Sequence, residues 1–330
     1  MEYTRLGRTG LQVSRLCLGT MTFGLQCDEP TSRAILDRGI EGGITFLDSS
    51  DVYPLGGDLT TVGRTEEILG RWLSGRREQV ILATKCFGAT GPQRWDRGAS
   101  RKHITAAVEA SLRRLQTDYI DLYQLHGYDA ETPIEETLGA LDDLVRAGKV
   151  RYIGVSNWLA YQVARAAGKS EALHLARFDA VQPRYNLLFR EVERELFPLC
   201  REEGIGVIAY NPLAGGLLAG KHSMEEGPLE GSRFTLGTAG PRYRERYWHE
   251  REFDTVEELR VVADEAGLPM AQMAVAWVLA NPAITAPIIG ASRPEQLRDS
   301  LAALNEPLPA DVIERLDVIT EDYRRGDSER

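Results

Sequence analysis

Short runs rich in β-branched and aliphatic residues alternate with longer amphipathic stretches along most of the chain. Eight of the short runs read as strands: Leu16 to Gly19, Thr45 to Asp48, Val80 to Cys86, Tyr119 to His126, Tyr152 to Val155, Ala180 to Gln182, Gly206 to Tyr210 and Thr285 to Ile289. The stretches between them carry a helical period. In Arg101 to Leu115, for example, Ile104, Val108, Leu112 and Leu115 recur at three- and four-residue steps and so share one face. Ahead of the series, EYTRLGRTG followed by LQVSRLCLG reads as a hairpin. The stretch from Pro212 to Glu252 departs from the rhythm: about forty residues rich in Gly, Pro, Arg and aromatics predict a long loop that covers something. Pro309 to Tyr323 reads as an additional C-terminal helix, and the final RRGDSER as a frayed polar tail.

Eight βα units in series, with no composition break or linker, predict an α/β fold: one (β/α)8 TIM barrel domain over residues 1–330 rather than two doubly wound domains. A doubly wound dinucleotide fold would also want GxGxxG directly after its first strand, and CLGTMTFG does not supply it.

Composition narrows the function classes. With 43% hydrophobic and 27% charged residues, the chain is that of a globular protein able to bury a substantial core. Its 49 acidic against 39 basic residues, a net charge of −10, argue against a nucleic-acid partner. No apolar run approaches the roughly 20 residues of a membrane span, and MEYTRLGRTG lacks the layout of a signal peptide, so a cytoplasmic protein without a membrane partner is expected. Cys17, Cys27, Cys86 and Cys200 form no CxxC pair and no cluster with histidines; reduced, packed thiols and no metal are expected.

In a closed barrel alternate residues of each strand point inward, and the last inward residue lies at the C-terminal mouth. In ITFLDSSDVY, Phe46 and Asp48 share a face and Tyr53 follows in the loop; in VILATKCF, Ile81, Ala83 and Lys85 share a face; in YIDLYQLHG, so do Ile120, Leu122, Gln124 and His126. An acid, a phenol, an ammonium and an imidazole on three neighbouring strands predict a coupled site. The set suits carbonyl reduction, which needs a hydride at carbon and a proton at the developing alkoxide. A free phenol, with a pKa of about 10, is a reluctant acid near neutrality. A neighbouring ammonium is expected to lower that pKa, and a carboxylate to hold the ammonium charged and oriented. Tyr53 is thus the expected proton donor, tuned by Lys85, which Asp48 anchors. A neutral His126 either orients the carbonyl oxygen or contributes to proton delivery.

The segments LGTMTFG, FLDSSDVY, GRTEEILG, ATKCFG, YQLHGYD, GKVRYIGVSN, VQPRYN, AYNPLAGGLLAGK and IIGASRPEQLRDS, in this order over nearly the whole chain, resemble the aldo-keto reductase superfamily. The likeness is to the branch with potassium-channel β subunits, aryl-alcohol dehydrogenase-like enzymes and deoxysugar ketoreductases. It implies a barrel that binds extended NADP(H) across its C-terminal mouth and reduces an aldehyde or ketone, either an aryl or aliphatic carbonyl or a keto-sugar. By the same resemblance, Gly19, Thr20, Met21 and Asp48 line the cofactor site. Ser156, Asn157 and Gln182 hydrogen-bond the nicotinamide carboxamide, and Tyr210 stacks on the ring. Asn211, Pro212, Leu213, Ala214 and Gly215 resemble the pyrophosphate-binding segment, with Lys221 and Arg233 as basic residues near the phosphates. Gly290, Ser292, Arg293 and Gln296 resemble the segment around the adenosine and its 2′-phosphate, at a helix start near Pro294, where Arg293 favours NADP over NAD. Asp299 and Ser300 stand where relatives carry Glu and Asn against the adenine.

Two segments depart from the pattern. PLGGDLTTVGRTEE is longer than usual, so that Leu55 and Gly56 either face substrate or belong to a solvated loop. PRYRERYWHEREF sets Tyr243, Tyr247 and Trp248 among arginines, either to bind a sugar, aryl or phosphate group or to pin the loop. The rival function is a cofactor-sensing binding subunit like the channel β subunits; a chain that begins only a few residues before its first strand is expected to lack their long N-terminal arm. No heptad or repeat declares an oligomeric interface.

Overall fold

In the computed structural model, which describes residues 1–325, all eight expected barrel strands form and pair in parallel. An antiparallel hairpin, β1 (Tyr3–Arg5) and β2 (Gln12–Ser14), precedes them. The barrel strands are β3 (Cys17–Gly19), β4 (Phe46–Asp48), β5 (Ile81–Cys86), β6 (Ile120–Leu125), β7 (Val150–Ser156), β8 (Ala180–Gln182), β9 (Gly206–Tyr210) and β10 (Ile284–Gly290). Each pairs with the next in sequence, and β10 against β3 closes the ring.

Helices wrap the outside, held by local signals as well as by packing. Arg101–Leu115 starts where the Ser100 side chain accepts from the His103 amide, and it stops at Gln116, in the left-handed region at φ 54°. Its expected apolar face, Ile104, Val108, Leu112 and Leu115, is buried. Glu29–Glu41 is capped by Asp28 and carries a proline in its first turn.

Strand parity divides the core in two. Leu18, Leu47, Leu82, Tyr123 and Val155 face outward and pack under the helices. Cys17, Phe46, Ala83, Leu122, Ala180, Ile208 and Ala286 fill the barrel itself, joined from below by Leu6 and Val13 of the hairpin. The hairpin thus plugs the N-terminal end. Gly7 is needed there: it sits at φ +56°, and a Cβ would lie 2.4 Å from the Gly204 carbonyl oxygen. All four cysteines are buried and unpaired. Among the described residues, no helix is long and apolar enough to cross a membrane, and no group of His, Cys, Asp and Glu side chains is arranged to hold a metal.

Residues 212–252, expected as a long loop, contain regular structure. They fold into 3-10 turns over Ala214–Ala219 and Gly237–Ala239, a helix over Gly240–Tyr247, and the start of the helix Glu250–Ala266. Aromatic density is the reason: Trp248 packs edge-on against Phe234 at 4.8 Å, Phe253 at 4.9 Å and His222 at 5.5 Å, giving the segment a small core of its own. The C-terminal helix runs Ala310–Ile319 and is followed by a 3-10 turn, Glu321–Arg324. Of the expected frayed tail, Arg324 and Arg325 are instead paired with Glu193 and Glu191 at 3.1 and 3.2 Å; the other residues lie outside those described.

Candidate active site

At the mouth, Lys85 is wholly buried at the end of β5. Its Nζ lies 2.5 Å from Asp48 Oδ2, 2.7 Å from the Ser49 carbonyl oxygen and 3.5 Å from the Tyr53 hydroxyl. The other Asp48 oxygen accepts from Gln182 Nε2 at 2.9 Å and Gln124 Nε2 at 3.3 Å. The carboxylate is therefore both charge-paired and hydrogen-bonded, as burial of an ion requires. Burial by itself pulls the Lys85 pKa down, but Asp48 and Tyr53 outweigh it and the ammonium titrates above its ordinary value.

Tyr53 corrects an expectation. Its pKa is pushed up to about 12, because burial of the phenolate outweighs the downward pull of Lys85, and Asp48 adds to the rise. The sequence placed Lys85 beside the phenol but not the depth at which both are buried. His126 is pushed the other way, to about 3, by burial first and then by Lys85 and Arg242, so the imidazole is neutral at ordinary pH. Its Nδ1 lies 3.1 Å from Ser50 Oγ, and its ring meets Tyr53 edge-on at 5.8 Å.

Residues expected around a nicotinamide lie on adjoining strand ends. Gly19 is in register with Asp48 and with Gly290, and Ser156 with Gln182. Ser156 Oγ donates to the Gln182 carbonyl at 2.8 Å; Asn157, at φ 62°, donates to the His126 carbonyl and to Ser156 Oγ, both at 3.0 Å. The Tyr210 hydroxyl donates to Asn157 Oδ1 at 2.8 Å. Thr20 is buried with its hydroxyl on the Asp48 carbonyl, bracing β3 against β4, and the Met21 carbonyl accepts from the Leu55 amide.

The segment after β9 forms a tight turn. Asn211, at φ 66°, accepts the Gly215 amide on Oδ1 at 2.7 Å across Pro212, Leu213 and Ala214. Gly216, at φ +103°, has an open side: an added Cβ would meet nothing closer than 4.0 Å. Lys221 is exposed. Arg233 is half-buried, and its Nη1 is buried without a hydrogen-bond partner. After β10, Gln296 Oε1 accepts from the Ser292 amide at 2.7 Å, folding that turn, and Arg293 is exposed. The two adenine-end residues are less available: Asp299 pairs with Arg298 at 3.1 Å, and Ser300 is buried.

The long segments meet over the mouth. Gln26 Nε2 donates to the Gly231 carbonyl at 2.7 Å, and the Thr238 amide to the Gly56 carbonyl at 3.3 Å. Leu55 and Gly56 are accordingly packed rather than solvated, with Leu236 against Gly56. Tyr247 is fully buried with its hydroxyl on Asn186 and Asn211, and Trp248 joins the aromatic cluster, so both pin the segment instead of facing a ligand.

Three side chains in this constellation were not singled out from sequence. Gln124 links Asp48 to Gln182; its inward parity with His126 was the available signal. Ser50 engages His126 and also contacts the buried Asp51 at 3.3 Å. Asp51 is held well above the usual carboxylate range by burial and by Glu66. Both residues sit in a loop, where strand parity gives no guide.

Comparison with known proteins accords with this geometry. The family model described as the aldo/keto reductase family matches residues 15–321. The chain is 42% identical over 328 residues to the uncharacterized oxidoreductase YrpG of Bacillus subtilis, covering 97% of this chain and 96% of that one. It is 38% identical to a probable voltage-gated potassium channel subunit beta of Arabidopsis thaliana, with all of both chains covered. It is 34% identical to the versiconal hemiacetal acetate reductase of Aspergillus parasiticus, with 96% of each covered. The chain belongs to the aldo/keto reductase family.

Proposed function

We propose that this oxidoreductase reduces an aldehyde or ketone to the alcohol with NADPH, and that Tyr53 gives the proton. The observation that carries the reading is the buried series Asp48, Lys85 and Tyr53 beside a neutral His126. Such a cluster costs desolvation energy and adds nothing to the apolar core, which is the usual mark of chemistry.

The residues present fit the cofactor. An orphaned guanidinium nitrogen on Arg233 wants an oxyanion, and the Asn211–Gly216 turn has an open glycine side against which a phosphate can rest. Ser156, Asn157 and Gln182 would hold the carboxamide and Tyr210 would lie against the ring, with Gly19 and Met21 beside them. Pro212, Leu213, Gly215, Lys221 and Arg233 would hold the pyrophosphate, and Gly290, Ser292, Arg293 and Gln296 the adenosine end. When bound, NADPH supplies the hydride.

The protein's own residues do the rest. His126, neutral, donates a hydrogen bond to the carbonyl oxygen and sets its position. Lys85, kept cationic by Asp48, hydrogen-bonds the phenol oxygen, so that charge left on Tyr53 as its proton moves to the alkoxide meets an ammonium already in place. With its pKa at about 12, Tyr53 keeps its proton until the alkoxide forms.

Purified protein with NADPH and a panel of aryl aldehydes, methylglyoxal and keto-sugars is expected to consume the cofactor. Tyr53→Phe should lower kcat by about 10²–10⁴-fold; a variant with full activity would refute the mechanism. No turnover on any carbonyl, together with stoichiometric co-purification with a membrane protein, would favour a regulatory subunit, as the plant relative's name describes.

A further inference from the structure

The helix Gly240–Tyr247 presents two stripes to its surroundings. Tyr243 and Tyr247, four residues apart, are its anchors: Tyr243 packs where a Cβ on Gly215 would come within 2.7 Å of its ring, and Tyr247 is fixed through Asn186 and Asn211. Arg242 and Arg246, also four apart, lie about 100° round the helix from them. The first is exposed and the second partly so. The anchored stripe determines where the second one faces. Arg242 lies near enough to His126, and Arg246 to Tyr210, for their charges to bear on those groups, the first disfavouring protonation of the imidazole. A third arginine, Arg184, is bridged through its backbone to Tyr210, and its guanidinium lies 3.5 Å over the Phe189 ring and 5.7 Å from Tyr247.

Many arginines elsewhere in the molecule are taken up by carboxylates. Arg33 and Arg71 share Glu29, Arg77 holds Asp121, Arg114 holds Glu66, Arg190 holds Glu193 and Arg260 holds Glu257. Among the described residues, no carboxylate pairs with Arg184, Arg242 or Arg246. In a chain of 49 acidic and 39 basic residues, three guanidiniums without a carboxylate around one opening form a local positive field against the overall charge. The phosphate-facing positions proposed above already have Lys221, Arg233 and Arg293, which leaves the arginines beside Tyr210 and His126 on the substrate side.

We propose that Arg184, Arg242 and Arg246 form an anion-recognising rim of the substrate site, and that the carbonyl compound reduced there carries a carboxylate or a phosphate. The planar guanidinium fork suits both groups, and held at this edge it aims the carbonyl end of the molecule at His126 and Tyr53. The proposal rests on the reductase reading, and the experiment separates the two.

Wild type and Arg242→Gln/Arg246→Gln are compared on two matched pairs, 4-carboxybenzaldehyde against benzaldehyde and glyceraldehyde 3-phosphate against glyceraldehyde, at low ionic strength. In wild type, kcat/KM for the charged member of at least one pair should exceed that of the neutral member by about tenfold or more, and the variant should lose most of that ratio through KM. Which pair responds distinguishes carboxylate from phosphate. A ratio near one for both pairs, or a ratio that survives the substitutions, overturns the proposal. So does a variant whose loss lies in NADPH affinity with the ratio intact, since the arginines then serve the cofactor. Should the double variant fail to fold, Arg242→Gln at the exposed position gives the same reading. Calorimetric binding of 4-(hydroxymethyl)benzoate against benzyl alcohol needs no turnover. A protein that reduces neither aldehyde yet binds the anion preferentially, and loses that preference in the variant, refutes the reductase reading and keeps the rim.

Discussion

Phe46, Ala83, Leu122 and Ala180 fill the lower interior of the barrel; Asp48, Lys85, Gln124 and Gln182, each two residues further along the same strand, fill its mouth. Both levels are buried and both point inward, so neither strand parity nor exposure tells them apart. What differs is how each is held. The lower level is stabilised by removing apolar surface from water, which any well-fitting aliphatic set achieves. The upper level carries an ion pair and two amides whose desolvation must be offset bond by bond, and the contacts of the Asp48 carboxylate do this: Lys85 on one oxygen, Gln182 and Gln124 on the other. One level can be rebuilt in many ways, whereas the other depends on particular partners.

That contrast can be broken in order of effect. Lys85→Met removes one member of the upper level and leaves Asp48 buried without its counterion, which should cost about 3–5 kcal/mol of stability as well as activity. Adding Asp48→Asn should restore much of that stability but none of the activity. Denaturant titration and NADPH consumption measured on both variants check this, and a double variant as unstable as the single one would show that charge pairing is not what holds the mouth. Leu122→Ala, one level down, should cost about 2–5 kcal/mol through its cavity. Its activity should fall far less than that of the Lys85 variant, because no partner of the reacting groups is lost.

The smallest effect is that of pH, and it sharpens the comparison. Burial holds Tyr53 at about 12 and His126 at about 3, so both keep their neutral forms between those values. Between pH 6 and 10, kcat for reduction should change less than about twofold. The signs for stability follow from linkage. Tyr53, raised in the folded state, contributes stability that is present below about pH 10 and is lost as pH rises towards about 12. His126, lowered, contributes stability that is present above about pH 6.5 and is lost as pH falls towards about 3. An apparent pKa between 7 and 9 in kcat would mean that groups bound at the mouth outweigh burial.

The arginine rim and the aromatic cluster behind it are parted by another kind of position. Arg242 and Tyr243 are neighbours in sequence, yet one is exposed at the opening and the other is packed on Gly215. In PRYRERYWHEREF the spacing alone left open whether aromatics or arginines faced a ligand. Burial assigns Tyr247 to the scaffold and ring packing assigns Trp248 to it, with Arg242 left exposed.

The sequence by itself determined the barrel, since strand runs and helical faces are local periodicities that survive without knowledge of any neighbour. It also determined which side chains stand at the strand ends, as Asp48, Lys85 and His126 follow from parity. Tertiary structure alone decided how deeply those groups are buried, and hence that the phenol of Tyr53 is raised rather than lowered. It alone brought Ser50 to His126 and Gln124 to Asp48, and folded residues 212–252 into helices over the mouth. Depth and loop closure depend on surfaces contributed from distant parts of the chain, and no local pattern encodes them.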